Sequence, residues 1–256
     1  VVTFARDAEG RLDGADRSTA VMVALITATG SVLSGEPDAV ARVEAIVDPW
    51  EAVDGDPLAL VRVGFFINTL SWTGHSTEAL ALAERLVGLG RNLSAPSMLP
   101  FPLAQRAEVQ LLMGDWDGGY VSGSEALTLA DETGQSGTAS FVRCQLARLA
   151  AGRGHDRECR DLTQAVLESV SHNGAGSLTM YAHATLGLLH LGMGRLDAAL
   201  DELGRADRFA RSAGLGSHSA VPYLADLVEA AVRSGRNEVA ARALARFDGL
   251  DMAGVL

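Results

Sequence analysis

The chain contains no lysine, so each of its 21 basic residues is an arginine. A Walker motif, a Schiff base and a lysine general base all require that amine, and the enzyme classes built on them are excluded. Only two cysteines are present, Cys144 and Cys159, and they lack the CxxC or Cys/His spacing of a metal site. Two thiols are too few for a disulfide-stapled secreted domain, so we expect a reducing, cytoplasmic location.

Aromatic residues make up only 5% of the chain, and there are 7 prolines against 28 glycines. With a hydrophobic share of 48%, this balance suits alanine- and leucine-packed helices separated by glycine turns. The net charge of -11 repels phosphate backbones and acidic membrane surfaces, which argues against direct binding to nucleic acid or membrane. The most apolar stretch, residues 18–33, is about four residues short of a membrane span, and we predict a buried helix there.

Glycines recur at a nearly constant spacing along the chain. Intervals of 39, 40, 40, 40 and 41 residues separate Gly35, Gly74, Gly114, Gly154, Gly194 and Gly235. A stretch with helical apolar periodicity lies before and after each glycine, which predicts six helical hairpins. A second series, Gly134, Gly174 and Gly214, predicts left-handed caps where outgoing helices end, a task that Pro96, Pro100 and Pro102 perform earlier.

Two further positions repeat with the turns. Five residues after the turn glycine come Val40, Ala79, Gly119, Cys159, Ala199 and Ala240, and seven residues before it come Ala28, Ile67, Ala107, Ala147, Gly187 and Val228. Small side chains at both positions allow the two helices of a hairpin to approach closely. The pattern predicts an all-α fold, a right-handed superhelical array of about six antiparallel helix hairpins, tetratricopeptide-like with a period of about 40 residues. A HEAT-type array of similar period is the rival assignment.

The array is expected to span residues 18–248 as one domain. Residues 1–17 are interpreted as the N-terminal remnant of a longer chain, and residues 249–256 as a C-terminal tail. Neighbouring hairpins would share a core, and the incoming helices would line a concave side.

Catalytic signatures are absent from the sequence: it has no HExxH, GxSxG or GxxxxGK[ST] motif, and no GxGxxG after a strand. His183 and His190 lie two turns apart on one predicted helix, too far to share a metal unaided. Acidic pairs such as Asp115 and Asp117 stand at helix starts, where carboxylates favour the helix dipole. We therefore expect a protein that is not an enzyme and has no cofactor and no metal.

Phe101, Phe141 and Tyr181 are 40 residues apart, near the start of three successive incoming helices. On the next turn of that face the array carries polar side chains, Asn68, Glu108 and Arg148. Two interpretations stay open: the aromatic residues form core between repeats and the polar residues are merely solvated, or the six residues line a groove for a ligand or a protein partner.

The segments YAHATLGLLHLGMGRLDAALDELGRADRFARSAG and VPYLADLVEAAVRSGRNEVAARALARF resemble the tetratricopeptide-like sensor region of large LuxR-type ATP-binding transcriptional regulators, of the kind that activates maltose systems. The resemblance covers about residues 18–248 and brings no site residue with it. It implies an array that senses a small inducer or a protein partner and relays the signal to ATPase and helix-turn-helix domains, neither of which this chain contains. Alanine-rich sequence with arginine as its only long basic residue is common in actinobacteria. The alternative is a constitutive interaction or self-association scaffold without a small-molecule ligand, and a homodimer stays open.

Overall fold

A computed structural model of the chain describes residues 17–46, 57–173, 176–216, 220 and 222–248. Twelve α-helices and no strand lie within these residues, so the prediction of an all-α fold is confirmed. They are α1 Arg17–Ser34, α2 Ala39–Glu44, α3 Pro57–Trp72, α4 Ser76–Asn92, α5 Pro100–Leu112, α6 Trp116–Glu132, α7 Ser136–Gly152, α8 Asp156–Asn173, α9 Gly176–Gly192, α10 Leu196–Ser212, α11 Leu224–Arg233 and α12 Asn237–Asp248. A short 3-10 helix, Pro96–Met98, precedes α5.

The helices pair as the glycine spacing predicts. Each of the six turn glycines has a positive φ, between 69° and 87°, which only glycine adopts without strain. At a representative turn, the His155 amide donates to the Ala150 carbonyl at 2.9 Å and the Gly154 amide donates to the Ala151 carbonyl at 3.1 Å. This pattern ends the incoming helix and directs the chain into the next helix.

The left-handed caps that end outgoing helices also occur one repeat earlier than the glycines of that series. Gly134 and Gly214 have positive φ as predicted, whereas Gly174 lies outside the described residues. Forty residues before Gly134, Ser94 has φ 51° and is the one residue other than glycine with a positive φ in the described part of the chain. The prolines assigned to this point begin the next elements instead, with Pro96 opening the 3-10 helix and Pro100 opening α5.

Incoming and outgoing helices differ in how much of their surface is covered. In α10, buried Ala199, Leu200, Leu203, Ala206 and Ala210 form a single stripe with helical spacing. In α7, ten of 17 residues are buried, and they lie on several sides of the helix. Four apolar clusters follow one another along the chain and join neighbouring hairpins. The incoming helices therefore form the inner layer of the array.

The small residues lie where the helices of a hairpin cross. A Cβ on Gly187 would overlap the Leu203 side chain, and a Cβ on Gly119 would stand 2.8 Å from Leu111. The predicted site in the first hairpin is displaced by one residue: Ala39 is buried and Val40 is half-buried. The reason is that α2 is only six residues long and begins at Ala39, so its first turn forms the contact.

Two contacts join parts of the array that are far apart in sequence. The Gly216 amide, after α10, donates to the Leu33 carbonyl of α1 at 2.9 Å. Arg148 of α7 donates through Nη2 to the carbonyl of Pro222, 74 residues later, at 3.3 Å. The handedness of the array and the choice between tetratricopeptide-like and HEAT-type packing stay predictions. Within the described residues, no helix is both long enough and apolar enough to cross a membrane.

Gly187→Ala is expected to lower the free energy of unfolding by about 1 to 3 kcal/mol, because the added methyl group overpacks the crossing with Leu203. Gly204→Ala is the matched control, since a Cβ there meets only Arg208 Nη1 at 3.5 Å. Because alanine has a higher helix propensity than glycine, Gly204→Ala should stabilise the protein by up to about 1 kcal/mol. Urea unfolding of both variants checks the prediction, and equal effects would contradict the close crossing.

Ser94→Gly is expected to raise the free energy of unfolding by about 0.5 to 1 kcal/mol, because glycine adopts the left-handed conformation without a steric penalty. Ser124→Gly within α6 should instead lower it by about 0.5 to 1 kcal/mol. Thermal unfolding of the two variants distinguishes these opposite signs.

Candidate ligand-binding cavity

A cavity of about 500 Å³ opens beside the incoming helices α3, α5 and α7. Its lining consists of Phe65, Asn68, Leu86, Gly90, Ser97, Met98, Phe101, Pro102, Gln105, Gln135, Gly137, Thr138, Phe141 and Leu178. This volume falls in the range of small-molecule sites. None of these lining side chains carries a charge.

Three phenylalanines from successive incoming helices supply much of the apolar wall. Phe65 is 60% exposed although it is a large apolar residue, and its ring centroid lies 4.7 Å from that of Phe101, with the planes tilted by 50°. A Cβ on Gly64 would stand 2.6 Å from the Phe101 ring, so the glycine makes room for this pair. Phe141 lines the cavity from the next repeat. The exposed Phe65 ring, held beside the half-buried Phe101, is a surface on which a flat apolar group can stack.

Two buried amide side chains border the same cavity. Asn68 is 9% exposed and Gln105 is 1% exposed, and the side-chain carbonyl oxygen of each has no hydrogen-bond partner among the described residues. Leaving such an acceptor unpaired costs about 1 to 3 kcal/mol. At the rim, Gln135 is held in place because its Nε2 donates to the Ser97 carbonyl at 2.8 Å. A ligand with hydrogen-bond donors would compensate the unpaired oxygens once the two amides turn toward it.

Glu108 and Tyr181, both buried, form a second group away from the cavity lining together with the half-buried Arg148. Burial raises the pKa of Glu108 from 4.5 to about 7, against the opposing effects of the Arg148 charge and of hydrogen bonds with Gln145 and Tyr181. Burial, followed by the Glu108 charge, also raises the pKa of Tyr181. Glu108 Oε2 and Arg148 Nη1 have no hydrogen-bond partner in the described structure. Burial thus favours the protonated form of the Glu108 carboxyl group more than solvent would.

The six predicted groove residues thus fall into two sets of three. Asn68, Phe101 and Phe141 line the cavity. Glu108, Arg148 and Tyr181 lie in the buried group, where Glu108 is 5% and Tyr181 is 6% exposed. Their role in binding a ligand or partner stays a prediction for all six.

Sequence reasoning missed Phe65 and Gln105, although the signal was present. Phe65, Gln105, Gln145 and Thr185 are 40 residues apart and lie one turn after the aromatic series. The last three are buried, and each has a side-chain oxygen without a partner among the described residues. The 40-residue spacing of this series, next to that of the aromatic series, therefore indicates both cavity residues.

The other candidate residues have structural environments. Burial raises the pKa of both thiols, that of Cys159 to about 11, so neither is an activated nucleophile. His183 Nδ1 lies 2.6 Å from Glu202 Oε2, and this hydrogen bond lowers the pKa of Glu202. Asp115 caps α6 by accepting from the Gly118 amide at 3.0 Å. No cluster of three or more histidines, cysteines or carboxylates suited to a metal occurs in the described part of the chain.

Comparison with models of known protein families and with curated proteins finds no match for this chain.

The free energy of unfolding of the wild type is expected to fall as the pH rises from 5 to 8. Glu108→Gln should abolish this fall. The folded pKa of Glu108, about 7, is above the unfolded value of 4.5, so the folded state retains the proton and loses stability as pH rises toward 7. The free energy of unfolding of the wild type should decrease by about 2 to 3 kcal/mol between pH 5 and pH 8. Chemical denaturation at several pH values measures it.

The control for this experiment is Glu84→Gln, which neutralises an exposed carboxyl group on α4. It should retain the pH dependence of the wild type. If Glu108→Gln kept that dependence as well, Glu108 would be ionised throughout and the interpretation of the buried group would be wrong.

Proposed function

We propose that this chain is a non-catalytic sensing domain that binds a small, uncharged and largely apolar ligand in the cavity beside α3, α5 and α7. The observation that carries the proposal is the composition of the cavity wall, in which three phenylalanines border two buried amides and no charged side chain. An uncharged wall disfavours phosphorylated or carboxylated ligands, because their charge would lose its hydration without gaining a partner. Hydrogen-bond donors on the ligand would favour binding by pairing with Asn68 and Gln105.

A ligand in this cavity would contact several repeats of the array at once. The cavity draws most of its lining from four successive incoming helices, α3, α5, α7 and α9, and from the outgoing helix α4. A ligand that contacts several repeats favours the arrangement of repeats in which all its contacts are made. We propose that this selection relays the signal to ATPase and DNA-binding domains outside the chain, as in the LuxR-type regulators that the sequence resembles.

Gly137→Leu tests whether the cavity binds a ligand, because it obstructs the cavity and leaves the buried core side chains unchanged. Gly137 lines the cavity on α7 and is exposed, and a Cβ there meets nothing within 4 Å, so the larger side chain should fold normally and obstruct binding. Gly192→Leu is the matched control, because it makes the same change at an exposed helical position outside the cavity. The measurement is the melting temperature with uncharged aromatic compounds, sugars and nucleotides. A ligand at one hundred times its dissociation constant stabilises the folded state by about 2.7 kcal/mol.

We expect an uncharged aromatic compound to raise the melting temperature of the wild type and of Gly192→Leu, but not that of Gly137→Leu. An equal rise in both variants would place binding elsewhere. A rise with nucleotides alone would contradict the uncharged ligand class.

The alternative is a constitutive protein-interaction scaffold, and one surface favours it. Leu112, Met113, Trp116 and Tyr120, at the turn between α5 and α6, are between 43% and 48% exposed. Aromatic and methionine side chains are enriched at protein interfaces. A dimer in sizing and light scattering, together with no thermal shift by any small molecule, would favour the scaffold.

A further inference from the structure

A second cleft, of about 300 Å³, lies between the outgoing helices α10 and α12, with Leu227 of α11 in its wall. Its lining includes five arginines, Arg208, Arg211, Arg236, Arg242 and Arg246, against two aspartates, Asp201 and Asp207. Asp197 and Glu238 pair with Arg236 and Arg242 just outside the lining, so five positive side chains face four negative ones and leave a small local excess of positive charge. In a chain with a net charge of -11, this excess is opposite in sign to the whole.

Three of the five arginines hold the walls of the cleft in place. Arg236 Nη2 lies 2.6 Å from Asp197 Oδ1, which connects the start of α12 to the start of α10. Arg246 of α12 pairs with Asp207 of α10, and Arg211 Nε lies 3.2 Å from the other oxygen of the same carboxylate. One aspartate is thus shared by two guanidinium groups, so their combined charge is only partly neutralised.

The other two arginines are available to a ligand. Arg242 Nη1 lies 3.8 Å from Glu238, and both side chains are more than two-thirds exposed, so this pair is weak. Arg208 has no ion pair or hydrogen bond with any described residue, and its Nη1 extends over Gly204, 3.5 Å from where a side-chain carbon would stand. Arg208 is exposed and lines the cleft, so its guanidinium group is accessible from solvent.

The chemistry of the arginine side chains indicates which class of ligand the cleft would bind. A guanidinium group presents paired N–H donors that match the oxygens of phosphate or carboxylate. Several such groups around a small cleft favour an anion with many acceptor oxygens and more than one negative charge. A diphosphate group meets both conditions within one compact unit.

We propose that the cleft between α10 and α12 binds a small anion that carries a diphosphate group, with Arg208 and Arg242 as its principal ligands. Arg211 and Arg246 complete the site from the two helices. This site is separate from the cavity beside α3, α5 and α7 and is independent of the function proposed for it.

The test is isothermal titration of the protein with pyrophosphate at about 50 mM salt, where screening is limited. We expect saturable binding at one site. Arg208→Gln with Arg242→Gln should weaken it at least tenfold, and Arg208→Gln alone at least threefold. The matched control replaces Arg157 and Arg195, two exposed arginines outside the cleft, by glutamine, and should bind within twofold of the wild type.

Three results would overturn the proposal: no saturable binding to the wild type, equal weakening in the control, or unchanged affinity in Arg208→Gln with Arg242→Gln. Citrate serves as a carboxylate probe, and tighter binding of citrate than of pyrophosphate at the same arginines would overturn the assignment to diphosphate. Both replaced arginines are exposed, and melting curves without ligand verify that each variant is folded.

Discussion

The close crossing of the two helices in each hairpin is the constraint on which the rest of this structure depends. Gly119 is within reach of Leu111 and of the Ala107 carbonyl, and Gly187 leaves room for the Leu203 side chain. A single hairpin of this kind cannot bury its apolar surface, so each pair needs neighbours on both sides. Stacking then covers the incoming helices on several sides, whereas the outgoing helices retain one polar face.

Covering the incoming helices has a cost, because their repeat carries polar side chains at fixed positions. Gln105, Gln145 and Thr185 are drawn into the interior with side-chain oxygens that have no partner among the described residues, and burial raises the pKa of the enclosed Glu108 to about 7. Buried polar groups without partners lower stability, so their concentration along one face is a departure from ordinary packing. One of these residues, Gln105, lines the uncharged aromatic cavity, which supports the proposal that the inner layer binds a ligand.

Local signals in the sequence predicted the hairpins well. A glycine with positive φ ends each incoming helix, and the bonds that form the turn join residues only three to five positions apart. The exceptions are also local: Ser94 adopts the conformation of the glycine cap without being glycine, and the short α2 moves the small site from Val40 to Ala39. Side chains on the inner face were harder to assign, because Phe101 and Tyr181 occupy the same position of the repeat but lie in different surroundings.

The amino-acid sequence by itself determined the all-α class, the six turns and the period of about 40 residues, because these follow from backbone preferences and helical spacing within short segments. Only the tertiary structure decided which polar residues border a cavity and which are enclosed. That outcome depends on how repeats that are not neighbours in sequence meet, as where Arg148 reaches the Pro222 carbonyl and Gly216 donates to Leu33. Such contacts join distant residues through packing geometry, which the repeat pattern does not encode.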